Sequence, residues 1–160
     1  IAQCLVGSEM CIRDRYNGID VLKEKIESYG ENNLATAVIG VVEGDTHDIG
    51  KNLVKLMLEV NGFNMIDLGK DVPCEKFVDE AIKNNAQFIM MSTLMTTTME
   101  NMKKVIDILN ERNIRDQFIV MVGGGPVSES FAKEIGADAY SENANEAVKV
   151  AKSLIKNHEN

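Results

Sequence analysis

From Ala35 onward, short continuous apolar runs alternate with longer segments in which apolar residues recur at helical spacing. That alternation is the signature of βα units around a parallel sheet. The runs fall at residues 35–42, 63–68, 87–91 and 118–122, with a weaker fifth at 137–140. Strands that are apolar at every position are buried on both faces, so helices must lie above and below the sheet. The intervening segments supply them. Ile49, Leu53, Leu56, Met57 and Val60 share one helical face, and Met99, Met102, Val105, Ile106 and Leu109 share another. Asn61-Gly62 stops the first helix with a residue that tolerates a left-handed conformation. Pro73 suits the first turn of a helix carrying Phe77, Val78, Ala81 and Ile82. Ala147, Val148, Ala151, Leu154 and Ile155 form the last helical face, before a polar tail at 156–160. Lys51 and Asn52, at the start of the first helix, are expected to face solvent.

Five βα units in this order predict an α/β fold: a flavodoxin-like (Rossmann-like) five-stranded parallel sheet, strand order 2-1-3-4-5, with helices on both faces. The N-terminal part breaks the pattern. Ile19, Leu22 and Ile26 suggest a short helix, 28–33 reads as a polar linker, and 1–15 has no clear period. The expected organisation is an irregular start over 1–18, a short helix and linker over 19–33, and one ligand-binding domain over 34–157.

The 160-residue length suits one domain with a proper core, and the formal net charge of −8 argues against a nucleic-acid partner, which needs clustered Lys and Arg. No apolar run approaches the ~20 residues needed to cross a bilayer, and no secretory signal is legible, so neither a membrane nor export is expected and the expected location is cytoplasmic. Cys4, Cys11 and Cys74 are odd in number and form no CxxC pair. They indicate neither a disulfide framework nor a thiolate zinc site.

In the predicted sheet, the loops after strands one, three and four open on one edge, where such folds bind ligands. The first is Gly44-Asp45-Thr46-His47-Asp48-Ile49-Gly50, with an imidazole two residues after a carboxylate. A metal-ligating His needs an acceptor on its other ring nitrogen, and Asp45 can supply it. The second is the hydroxyl run Ser92-Thr93-Leu94-Met95-Thr96-Thr97-Thr98, and the third is Gly123-Gly124-Gly125-Pro126. Alone, each has an ordinary reading: a hydrogen-bonded loop histidine, threonines capping a helix, a tight glycine turn. Met95 and Met99 read either as core filler or as ligand-facing. A phosphate-binding loop fits poorly, because no Lys-Ser/Thr pair follows the glycines. Together, the three loops ask for a ligand long enough to touch them all.

These motifs resemble the cobalamin-binding domain shared by methionine synthase and the small corrinoid proteins of methylotrophic methyltransferase systems. The resemblance runs from about residue 35 to 155. It rests on Asp-x-His-x-x-Gly at Asp45, His47 and Gly50, Ser-x-Leu at Ser92 and Leu94, and Gly-Gly at Gly123 and Gly124. The extended match from Gly44 to Val54 favours the methyl-transfer branch over the carbon-skeleton mutases. The resemblance implies that cobalamin binds with its own benzimidazole displaced from cobalt and His47 as the metal ligand in its place, oriented by Asp45. It further implies that Ser92 contacts the displaced base, Gly123 and Gly124 line the channel for the nucleotide tail, Thr96 approaches the corrin, and Ala144 offers a backbone contact. Gly44, Thr46, Asp48 and Leu94 belong to the same cofactor-binding set, and Thr98 stands where a family serine extends the Asp–His relay.

The implied function is that of a non-catalytic corrinoid methyl carrier, serving a donor-specific methyltransferase and an acceptor methyltransferase, with a reductive activation protein as a further partner. No residue reads as a nucleophile or general acid/base of an independent reaction. A cobalamin-dependent sensor is the alternative. A receiver-type module would need a phosphorylatable Asp at the end of the third strand, which instead ends in Met90-Met91-Ser92. Relatives carry a helical module before this fold, of which residues 19–29 read as a remnant. The stretch from Cys4 to Arg15 looks like translated sequencing-adaptor read-through, so a truncated chain with a foreign start is expected.

Overall fold

The computed structural model describes residues 33–158. The irregular start and the short N-terminal helix expected from the sequence lie outside the described residues. The elements are β1 (Ala35–Val42), α1 (Ile49–Val60), β2 (Phe63–Val72), α2 (Cys74–Lys83), β3 (Phe88–Ser92), a 3-10 turn (Thr96–Thr98), α3 (Met99–Glu111), a second 3-10 turn (Arg115–Gln117), β4 (Ile119–Gly123), α4 (Glu129–Ile135), β5 (Ala139–Ser141) and α5 (Ala144–His158). All strand pairs are parallel and the order is β2-β1-β3-β4-β5, as the pattern predicted.

The unbroken apolar runs have the expected cause. Along β1, Val38 and Val42 enter one core layer while Ala37 and Ile39 enter the other. The first layer is closed by Phe77 and Val78 of α2, Met102, Val105, Ile106 and Leu109 of α3, and Ala132 and Ile135 of α4. The second is closed by Leu58 of α1 and Val148 and Ala151 of α5, with Phe63 set edge-on to Phe88 at 5.9 Å between ring centres. Phe77 and Phe88 are fully buried, and each contributes roughly 1.5–3 kcal/mol by leaving water.

Two elements depart from expectation. Helix α1 does not bury the stripe that its periodicity suggests: Ile49 is 63% exposed and Leu53 49%, while Lys51, expected in solvent, is 2% exposed. The reason is an ion pair. Lys51 Nζ reaches Asp67 Oδ1 of β2 at 2.5 Å, and Lys55 Nζ meets the other carboxylate oxygen at 3.2 Å. Strand β2 runs to Val72, four residues beyond its apolar run. It is an edge strand, so its polar residues need no second layer. Its register against β1 slips between Ile39 and Gly40, leaving Leu68 as an extra residue, and slips again before Val42. The Asp67 carboxylate accepts the Gly69 amide at 2.9 Å across the first bulge. Among the described residues, no helix is long and apolar enough to cross a membrane.

Candidate functional site

The loop from β1 to α1 leaves the sheet at its carboxyl edge and is pinned by the far end of β2. The Gly44 amide donates to Asp71 Oδ1 at 2.8 Å, and the Asp71 amide donates to the Asp45 carbonyl at 2.9 Å. This latch turns Asp45 inward, where it is completely buried. Its Oδ1 accepts the His47 amide at 2.9 Å and lies 2.7 Å from His47 Nδ1. Its Oδ2 accepts the Thr93 hydroxyl at 2.7 Å and the Leu94 amide at 2.6 Å.

Burial opposes ionisation of Asp45, but the amides of His47 and Leu94, the Thr93 hydroxyl and the imidazole outweigh it. The carboxyl is held well below the usual carboxylate range. An ionised Asp45 that accepts from Nδ1 fixes the tautomer with the proton there, which leaves Nε2 with its lone pair. The His47 side chain is 54% exposed, so that nitrogen is accessible to a ligand.

Beside His47 lies a cavity of about 480 Å³. Its floor is Ile39, Met90 and Met121 of the sheet, and Ile49, Leu53 and Val54 of α1 form one wall. The outward apolar residues of α1 therefore line this space. Of the sequence-predicted residues, Thr46, His47, Asp48, Gly50, Ser92, Leu94, Gly123, Gly124 and Ala144 border the cavity. Asp45 and Thr98 stand behind it, joined through Thr93, whose hydroxyl is 2.6 Å from that of Thr98. Gly44 belongs to the latch on β2. Thr96 is exposed at the start of the 3-10 turn and does not border the cavity, nor do Met95 and Met99.

The glycine loop has a second cause besides room for a ligand. Gly124 has φ +125°, and a Cβ there would stand 1.8 Å from the Thr93 carbonyl oxygen. Only glycine fits both the conformation and the contact. Residues that pattern reasoning did not assign also border the site. Ser141, at the end of β5, contributes to the cavity wall, and Thr93 contacts Asp45 directly. Thr93 sat unsingled within a run of hydroxyls, and nothing in the run distinguishes it from its neighbours. Lys51 had a usable signal, since Asp67 sits between Ile66 and Leu68 in the apolar part of its strand.

Among the described residues no three His, Cys, Asp or Glu side chains converge as a cage. A metal held at Nε2 of His47 would therefore be one that carries its remaining donors with it, as a macrocyclic complex does. The largely apolar cavity beside the imidazole suits such a ligand if it also has a bulky appendage.

Residues 35–149 match the family model described as B12 binding domain. The chain is 46% identical over 139 residues to dimethylamine corrinoid protein 2 of Methanosarcina acetivorans, covering 86% of this chain and 64% of that protein. It superposes on the monomethylamine corrinoid protein of Methanosarcina barkeri with a TM-score of 0.77 at 44% identity, covering 88% of this chain and 66% of that one. It also superposes on a chain of the methanol:cobalamin methyltransferase complex of Methanosarcina barkeri, with a TM-score of 0.74 at 38% identity, covering 87% of this chain and 53% of that one. The chain thus spans somewhat more than half to two thirds of the length of these relatives.

Proposed function

The chain belongs to the B12 binding domain family, and from that premise we propose that it is the cofactor-bearing part of a corrinoid methyl carrier, with cobalamin or a related corrinoid as its cofactor. The carrying observation is the buried Asp45, ionised by three protein donors and the imidazole, that presents His47 beside an apolar cavity. When bound, the corrinoid supplies the cobalt centre at which a methyl group is accepted and given up. The protein's part is to bind, orient and seclude.

His47 would be the residue that holds the cobalt through Nε2, in place of the cofactor's own base. Asp45 holds the proton on Nδ1 and so keeps Nε2 available; Thr98 backs it through Thr93. Ser92, Gly123, Gly124 and Ala144 border the cavity; there Ser92 would contact the cofactor's displaced base, Gly123 and Gly124 would wall the channel for its nucleotide tail, and Ala144 would offer a main-chain contact. Gly44, Thr46, Asp48 and Gly50 shape the loop, while the exposed Leu94 and Thr96 would contact the corrin. Residues 34–157 are the cobalamin-binding domain in this reading.

The relatives' names favour methylamines as the methyl source. The partners are then a donor-specific methyltransferase and an acceptor methyltransferase, with a reductive activation protein restoring the inactive carrier. The reading is tested by titrating the wild-type chain and His47→Ala with methylcobalamin and following the visible spectrum. Wild type is expected to give the spectrum of cobalamin with its own base displaced and imidazole bound, and the variant to lose it. A wild-type spectrum unchanged at saturation would overturn the proposal.

A further inference from the structure

Thr93 lies between Ser92 and Leu94, the two residues that carry the motif after β3, and is itself completely buried. Its hydroxyl stands 2.7 Å from Asp45 Oδ2 and 2.6 Å from the Thr98 hydroxyl. A hydroxyl has a single proton. With Asp45 ionised and acceptor-only, that proton goes to Oδ2, and Thr98 donates to Thr93 or to the Met95 carbonyl at 3.0 Å. Thr93 is therefore the only side chain besides His47 that hydrogen-bonds Asp45 among the described residues, and Thr98 reaches Asp45 only through it.

Its own position is over-determined. The Thr93 amide donates to the Gly123 carbonyl at 3.3 Å, and its carbonyl packs where any side chain at residue 124 would have to stand. One residue thus touches all three loops at the sheet edge: the Asp45–His47 loop by its hydroxyl, its own loop by covalent connection, and the glycine loop by its main chain.

Resting on the reading of His47 as a cobalt ligand, we propose that Thr93 is a positioning residue for that ligand: its hydroxyl holds Asp45 in the place from which Asp45 holds His47. The Asp45 carboxylate takes two hydrogen bonds on each oxygen. Without the Thr93 hydroxyl, one oxygen keeps only the Leu94 amide, and the carboxylate is free to rotate away from the geometry that serves Nδ1. The effect on the metal is indirect, so it shows in ligation and not in cavity filling.

The test uses the 160-residue chain as wild type, Thr93→Val and Thr93→Ser. Each is produced with nitrogen-15 label, titrated with methylcobalamin and followed by visible spectroscopy; anaerobic photolysis then cleaves the cobalt–methyl bond to leave cobalt(II), whose electron paramagnetic resonance shows a two-line splitting from the labelled imidazole and a three-line splitting from the cofactor's own unlabelled base. Thr93→Val is expected to bind about tenfold more weakly in the imidazole-ligated form, equivalent to about 1.4 kcal/mol, with a smaller imidazole-ligated fraction. Thr93→Ser is expected to restore both. Thr93→Ala, which removes the hydroxyl without adding a second methyl, reads the same quantities should the valine variant not fold. Val or Ala behaving like wild type overturns the role of Thr93 while the carrier reading stands. Ser failing as Val does also overturns it, since the methyl packing and not the hydroxyl would then be responsible. No spectral change with wild type overturns the carrier reading itself, and the role of Thr93 with it.

Discussion

Asp45→Asn tests the arrangement at its centre, because asparagine matches aspartate in shape but not in hydrogen-bonding character. Four donors or potential donors converge on the carboxylate: the His47 amide and Nδ1 on one oxygen, the Thr93 hydroxyl and the Leu94 amide on the other. An amide nitrogen must replace one oxygen, and it faces a main-chain N–H in either orientation. Turned toward His47, it strands the His47 amide and forces the imidazole into the other tautomer, with the proton on Nε2. Turned toward Thr93, the hydroxyl can reverse but the Leu94 amide cannot. One buried N–H is orphaned in both cases, at about 1–3 kcal/mol, and the remaining bonds lose their charge reinforcement, for a total of about 3 kcal/mol. For a domain of this size that lowers Tm by roughly 10 °C. The assay is thermal unfolding of the cofactor-free protein at pH 7, followed by circular dichroism. The pH dependence has a definite sign. Because folding lowers the pKa of Asp45 below its ordinary 3.8, the stabilisation is complete above that value and is lost as pH falls through the lower folded value. The gap between wild type and variant should therefore hold from neutral pH down to about 4 and narrow only below it. A Tm within about 2 °C of wild type at neutral pH would refute the reasoning.

Three further outcomes follow from the same contacts. Gly124→Ala should be the more damaging of the loop substitutions, since its Cβ would meet a main-chain oxygen at 1.8 Å in a left-handed conformation; a loss of more than about 3 kcal/mol is expected by chemical denaturation, and a fully stable variant would contradict the contact. Lys51→Met should cost about 1–2 kcal/mol, below the ~3–5 kcal/mol of a buried ion pair broken without substitute, because Lys55 and the Gly69 amide remain on Asp67; the urea midpoint measures it. In the same variant, the pKa of Asp67 should rise. Burial works against the charged form there, and the bond from Lys51 is the largest of the contributions that keep the carboxyl low. Carbon-detected magnetic resonance of the carboxyl carbon reads that shift directly.

The sheet was legible because its signal is redundant. Each internal strand is apolar on both faces, so a one-residue error at an end, as at Phe88–Ser92 against an expected 87–91, leaves the order intact. The edge strand was less legible, since Asp67, Lys70 and Asp71 carry polarity that a central strand does not tolerate. The orientation of α1 was misread for a related reason. Periodicity finds an apolar stripe but not which neighbour it faces, and here Ile49 and Leu53 line a cavity while a lysine goes under the helix to meet Asp67. At the site, the adjacency of Asp45 and His47 was readable from spacing alone, because residues two apart in an irregular loop can meet. The partnership of Asp45 with Thr93, 48 residues away, depends on how two loops cross the sheet edge, and no local pattern encodes it.

The Asp71 latch has a consequence for where this domain gives way. Outer strands exchange their amide protons sooner than inner ones, and β2 is outermost on its side. Since the segment bearing the imidazole is moored to the last residues of that strand, fraying at the border of the sheet slackens the chemistry-bearing loop at the same moment. Its rigidity is borrowed from an outermost ribbon of the fold.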